Sequence, residues 1–113
     1  MAVYLFANLE IQAAEFARFI EVMGEIEPIV ASAGWRLVGA FVQRTGRLNT
    51  VIDLWELEDF GHMDRGMRAL AANARFPEIK AVLDAVVLKE TLTLADKLTY
   101  PVAAGGGVAS KTI

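Results

Sequence analysis

The stretch that most constrains this chain is NTVIDLWE, Asn49 to Glu56. β-Branched residues, leucine and tryptophan crowd into it, the composition of a short strand covered on both faces. Asp59 then stands at a helix N-cap position, with Met63, Met67 and Leu70 following at helical spacing. A buried strand therefore feeds directly into a helix that runs from about Asp59 to Asn73. At this junction lie the one histidine, His62, and the polar residues Asp53, Arg65 and Arg68. Any chemistry is expected here.

The remaining segments supply what this strand needs on either side. Val3 to Leu9 is short, apolar and aromatic, with Tyr4, Phe6 and Asn8 on one side and Val3, Leu5, Ala7 and Leu9 on the other. From about Gln12 to Ala33 the pattern turns helical, with Phe16, Phe19, Ile20, Met23, Ile26 and Val30 as its stripe. Pro28 within it predicts a kink or a break, eased by Gly24 four residues back. Gly34 reads as a C-terminal cap. Trp35 to Arg44 is a second strand, joined to the third through Thr45, Gly46 and Arg47 as an antiparallel hairpin, and Gly39 within it marks a bulge or a close approach. Phe76 to Ala85 is a further helix with Pro77 in its first turn. Val86 to Leu94 is the fourth strand, with Leu88, Glu90, Leu92 and Leu94 sharing a side. The order β, α, β, β, α, β is the α+β, ferredoxin-like split βαβ plan, a four-stranded antiparallel sheet with helices on one face. Strands apolar on both faces then need a second sheet, so the chain is expected to pair with itself as a dimeric α+β barrel.

With 113 residues there is room for one domain, expected over 1–96, followed by a tail, 97–113, that is flexible or contacts a partner. The glycines Gly105 to Gly107 in that tail lack the strand before and helix after that a phosphate loop requires. Hydrophobic residues make up 55% of the chain, more than one small core hides, which again points to a homodimer. A net charge of −3 with no basic block excludes a nucleic-acid footprint. The absence of a spanning apolar run and of a leader pattern predicts a cytoplasmic protein without a membrane partner. No cysteine and a single histidine leave no sulfur-ligated or multi-histidine metal site, and no metal or cofactor is expected.

Between Pro28 and Leu70 the segments PIVASAGWRLVG and TGRLNTVIDLWELED, then His62 and Arg65 ahead of Ala69 and Leu70, form a recognisable series. It is similar to the NIPSNAP family, within the dimeric α+β barrel superfamily. The resemblance implies a dimeric ferredoxin-like barrel, among relatives that include cofactor-free monooxygenases, isomerases, cyclases and haem enzymes. Departures from the family pattern are informative. Ala7 and Leu9 stand where the family commonly has an arginine and a tyrosine, Asp53 where it has a histidine, and Leu57 where it has an aromatic. Met63 and Met67 replace arginines. The resemblance therefore implies a pocket less cationic than the family norm, suited to a more apolar ligand.

Each candidate residue has two readings. Asp53 in an apolar strand should have its pKa raised by desolvation and could transfer protons; the simpler reading pairs it with Arg36 or Arg44 on the neighbouring strand. Trp55, on the same face, is either core or a platform for a flat ligand. His62 sits at the positive end of a helix dipole, which suits a proton acceptor or a haem ligand, or else it is a surface or capping residue. Asn8 or Arg65 could polarise a ligand oxygen, although Arg65 and Arg68 also read as solvent-facing or paired with Glu58 and Asp64. Met23, Met63 and Met67 are either an adaptable pocket wall or ordinary core. The leading expectation is a homodimer that binds an apolar aromatic or polyketide-like small molecule between sheet and helices. Catalysis there would be cofactor-free, through Asp53 and His62, with Asn8, Trp55, Arg65, Met63 and Met67 holding the substrate. The alternatives are a non-catalytic interaction or scaffold protein, and haem binding through His62. A cavity of several hundred Å3 with convergent polar groups separates a ligand site from a scaffold.

Overall fold

Alternation along the first strand decides the architecture. In β1 (Val3–Ile11), Val3, Leu5, Ala7, Leu9 and Ile11 are all buried on one face. A computed structural model describes residues 2–101 of the chain. After β1 come a 3-10 turn (Ala13–Glu15), α1 (Phe16–Ser32), β2 (Arg36–Val42), β3 (Thr50–Leu57), α2 (Gly61–Ala72), α3 (Phe76–Val86) and β4 (Val87–Asp96). The strands lie in the order β2-β3-β1-β4, and every neighbouring pair is antiparallel. This is the expected ferredoxin-like α+β arrangement, with Phe76–Val86 as its extra helix. The glycines Gly105 to Gly107 and the rest of the tail beyond Pro101 lie outside the described residues. No helix among the described residues is long and apolar enough to cross a membrane.

All three helices cover the same face. Val22, Ile26 and Val30 of α1, Leu70 of α2 and Ile79 of α3 form one core with Leu5, Trp55 and Leu57 of the sheet. The α1 stripe is shifted from the expected one, since Val22 is buried and Ile20 is 64% exposed. Phe19, Val22, Ile26 and Val30 recur every three or four residues, whereas Ile20 lies a further 100° around the helix from Phe19. Nor does α1 break at Pro28, for it continues to Ser32. Gly24 and Pro28 both face solvent, so water can donate to the carbonyl that the proline ring leaves without a partner.

Gly39 marks both features expected of it. The β2–β3 register slips between Leu37 and Gly39, and a Cβ at Gly39 would lie 2.8 Å from Phe41 Cζ. The bulge re-aims β2, so that Leu37 and Ala40 share the helix side with their partners Trp55 and Asp53. On the opposite, helix-free face stand Tyr4, Phe6, Asn8, Phe41, Ile52 and Leu54, together with Thr91 and Thr93 of β4.

Trp35, in the short link between α1 and β2, seats α2. Its Nε1–H donates to the His62 carbonyl at 2.8 Å, and its indole occupies the space where a Cβ on Gly66 would stand. At an open helix position Gly→Ala adds about 1 kcal/mol of stability. Here the added methyl must displace a buried indole and its hydrogen bond. Gly66→Ala is expected to cost about 1–3 kcal/mol net, read as a lower urea midpoint at an unchanged m value. A rise in the midpoint would mean that the indole is not fixed against α2.

Candidate functional site

Asp53 is the polar residue that the fold places most deliberately. It sits in the middle of β3 on the helix side, and its cross-strand neighbours are Ala7 on β1 and Ala40 on β2. Two alanines leave space beside the carboxyl that larger side chains would fill. Asp53 is only 4% exposed, and its Oδ2 is buried with no hydrogen-bond partner among the described residues. Burial pushes its pKa up from 3.8 to about 6, because losing water disfavours the charged form. The alternative of an ion pair to Arg36 or Arg44 is not realised. Arg36 pairs instead with Glu56 on the helix-free face.

The space beside Asp53 is a cavity of about 190 Å3 between sheet and helices, lined by Asp53, Trp55, Trp35, Met23, Met67 and Glu90 among apolar residues. The two indoles meet edge to face, with ring centroids 5.5 Å apart. Of the residues expected at a site or pocket wall, the structure thus brings together Asp53, Trp55, Met23 and Met67. Larger depressions, such as one of about 610 Å3 over Arg36, Glu56 and Asp59, are open surface grooves without a buried unpartnered polar atom.

His62 is a correction. Neither at the surface nor facing the cavity, it is 1% exposed, and both ring nitrogens are engaged. The Glu58 N–H donates to Nδ1 at 2.9 Å, and Nε2 lies 2.5 Å from the Ala33 carbonyl. Nδ1 therefore carries no proton and Nε2–H is the donor, so neither nitrogen is free to take a substrate proton or to bind haem iron. Its capping partner is as expected, since the Asp59 carboxylate accepts the His62 N–H at 2.9 Å. Gly34, with φ at +103°, brings the loop so close that a Cβ there would lie 2.8 Å from His62 Nε2.

The remaining candidates lie elsewhere. Asn8 projects from the helix-free face, beside Ile52 and Thr91, and cannot meet a ligand next to Asp53. Arg65 is on the surface, 3.3 Å from Glu58 and 3.7 Å from Asp59, and Arg68 pairs with Asp64 at 2.8 Å. Met63 packs against the core without lining the cavity. Two lining residues, Trp35 and Glu90, escaped the sequence reading. Their signals were a glycine inside α2 with no turn to make, and a carboxylate on the leucine side of β4. Among the described residues no three metal-ligating side chains cluster.

Residues 4–104 match the model of the NIPSNAP family. Among solved structures, the chain is similar to an uncharacterized NIPSNAP domain protein from Burkholderia xenovorans, at 20% identity and a TM-score of 0.73 over 89% of this chain and 98% of that one. It is also similar to a NIPSNAP family protein from Agrobacterium tumefaciens, at 17% identity and a TM-score of 0.76 over 88% and 89%. SnoaB, a cofactor-independent oxygenase from Streptomyces nogalater, shares 16% identity at a TM-score of 0.63 over 88% and 95%. No curated protein matches. At such identities the likeness is one of fold.

The state of Asp53 makes stability depend on pH in a stated direction. Its folded pKa of about 6 lies above the 3.8 of the exposed group, so between those values the folded state holds more protons and stability falls as pH rises. The full cost, about 3 kcal/mol, is present above pH ~7 and absent below ~4. Asp53→Asn should therefore stabilise the protein by about 2–3 kcal/mol at pH 7.5 and by little at pH 4, measured by urea unfolding at both. An equal effect at the two pH values would contradict a desolvated carboxyl. His62→Ala removes the partner of two backbone groups and opens a cavity in place of a buried ring; a loss of about 3 kcal/mol is expected in the same assay.

Proposed function

Because the chain belongs to the NIPSNAP family, we propose that it is a cytoplasmic, homodimeric, small-molecule-binding α+β barrel protein whose ligand occupies the cavity beside Asp53. The observation that carries this reading is a buried, unpartnered carboxyl facing apolar space. An ordinary core would have filled that space or paired that group. Asp53 is the group that accepts a hydrogen bond or a proton from the ligand, Trp55 and Trp35 hold its ring, and Met23 and Met67 adapt to its outline. Catalysis in such a site is proton transfer in a water-poor cavity, without a cofactor; SnoaB, a cofactor-independent oxygenase, has a similar fold. The volume of about 190 Å3 favours a single ring over a fused polyketide, since a cavity of about 150 Å3 takes benzene and drug-sized sites begin near 300 Å3.

The same volume also favours the second reading, a non-catalytic interaction protein, because it falls below that of a typical ligand pocket. Titration with single-ring apolar compounds separates the two. Filling of the cavity should quench the fluorescence of Trp35 or Trp55 and raise Tm with ligand concentration. A panel of such compounds that changes neither would favour the interaction protein.

Self-pairing is proposed through the helix-free face, where Phe6 and Phe41 are exposed and Ile52 and Leu54 half-buried. A two-fold interface contains each residue twice, so Phe41→Lys removes two aromatic anchors. The loss is about 3–6 kcal/mol, a hundredfold or more in Kd. Phe41 is 59% exposed in the single chain, so the fold should survive. Native mass spectrometry is expected to give a dimer for the wild type and a monomer with unchanged circular dichroism for Phe41→Lys. A variant that stays dimeric would place the interface elsewhere.

A further inference from the structure

The cavity beside Asp53 has walls of a single charge sign. Among the described residues its titratable side chains are Asp53 and the solvent-exposed Glu90, and no lysine, arginine or histidine lines it. Asp53 Oδ2, buried and without a partner among the described residues, sits among aliphatic, thioether and indole walls. An ionised carboxylate only accepts hydrogen bonds, so whatever completes the site brings a donor. A neutral donor would satisfy a lone pair yet leave the buried charge uncompensated, whereas a cation does both. Two acids with no base repel a ligand carboxylate or phosphate. Indoles, of which two line this cavity, are the best aromatic partners for an ammonium group.

We infer that the cavity recognises a protonated primary or secondary amine on a body the size of one aromatic ring, its ammonium paired with Asp53 and its ring held among Trp55, Met23 and Met67. This rests on the reading of the cavity as a ligand site and adds the charge class of the ligand. Size sets the rest, because about 190 Å3 leaves room for one ring and a short chain.

The test uses four probes of nearly one shape, titrated into the intact protein at pH 7.5 and followed by tryptophan fluorescence and amide NMR shifts. They are 2-phenylethylamine, 2-phenylethanol, phenylacetate and ethylbenzene. The amine is expected to bind at least about tenfold more tightly than the alcohol, and phenylacetate not to bind. Asp53→Asn should abolish the preference for the amine while ethylbenzene still enters. Equal binding of amine and alcohol, a preference for phenylacetate, or an amine preference that survives Asp53→Asn overturns the inference and leaves the ligand site standing. If none of the four binds, ethylbenzene included, the ligand-site reading falls with it.

Discussion

The interlock between the end of α1 and the start of α2 is what the rest of this molecule depends on. Gly34 turns the chain at a left-handed φ, and Trp35 then reaches across to the His62 carbonyl while its indole lies on Gly66. From the other side, the His62 ring bridges the Glu58 N–H and the Ala33 carbonyl. Four residues, two of them glycines with no room for a Cβ, thus join two links that are distant in sequence. All the groups involved are backbone amides or rings with fixed donor and acceptor positions, so the junction has one arrangement rather than a family of them. That arrangement sets how α2 sits above β3, and with it whether space remains over Asp53.

The cavity follows from the same constraint combined with small neighbours. Ala7 and Ala40 flank Asp53 in the sheet, and two methionines approach from the helices in place of branched side chains. A chain of this size has stability of the order of 5–15 kcal/mol, of which a desolvated carboxylate forfeits a noticeable part. Leucine or asparagine at position 53 would avoid that loss while keeping the strand. A costly group beside unfilled volume is the pattern expected where binding competes with stability.

Much of this was legible in the sequence. Periodicity and turn residues gave the element order, the β2–β3 hairpin, the Gly39 bulge and the Asp59 cap, and a short series of motifs pointed to the family. Side-chain placement was less accessible. Alternation shows that Asn8 and Ala7 face opposite ways, but only the pairing of Ala7 with Asp53 decides that Asn8 is the one left outside the cavity. His62 looked chemical because it is the sole histidine, yet its partners, Glu58 and Ala33, are backbone groups, which no composition or spacing reveals. Trp35 was hidden for the same reason, since its contacts are a carbonyl and the missing side chain of a glycine.

Period-two alternation has a last consequence for how this protein can work. In β3, Asp53 and Trp55 point at the helices while Ile52 and Leu54 point the other way, so a single strand carries both the cavity wall and the centre of the helix-free face. The two surfaces share a backbone but no side chain. A second sheet packed on Ile52 and Leu54, as proposed, would leave the cavity intact, so the proposed ligand specificity and self-association would vary separately through adjacent positions. What couples them is the strand itself, whose main chain is held by ladders on both sides and moves only as part of the sheet. The position of Asp53 is therefore fixed by a strand paired on both sides, the condition under which one buried carboxyl can select a ligand.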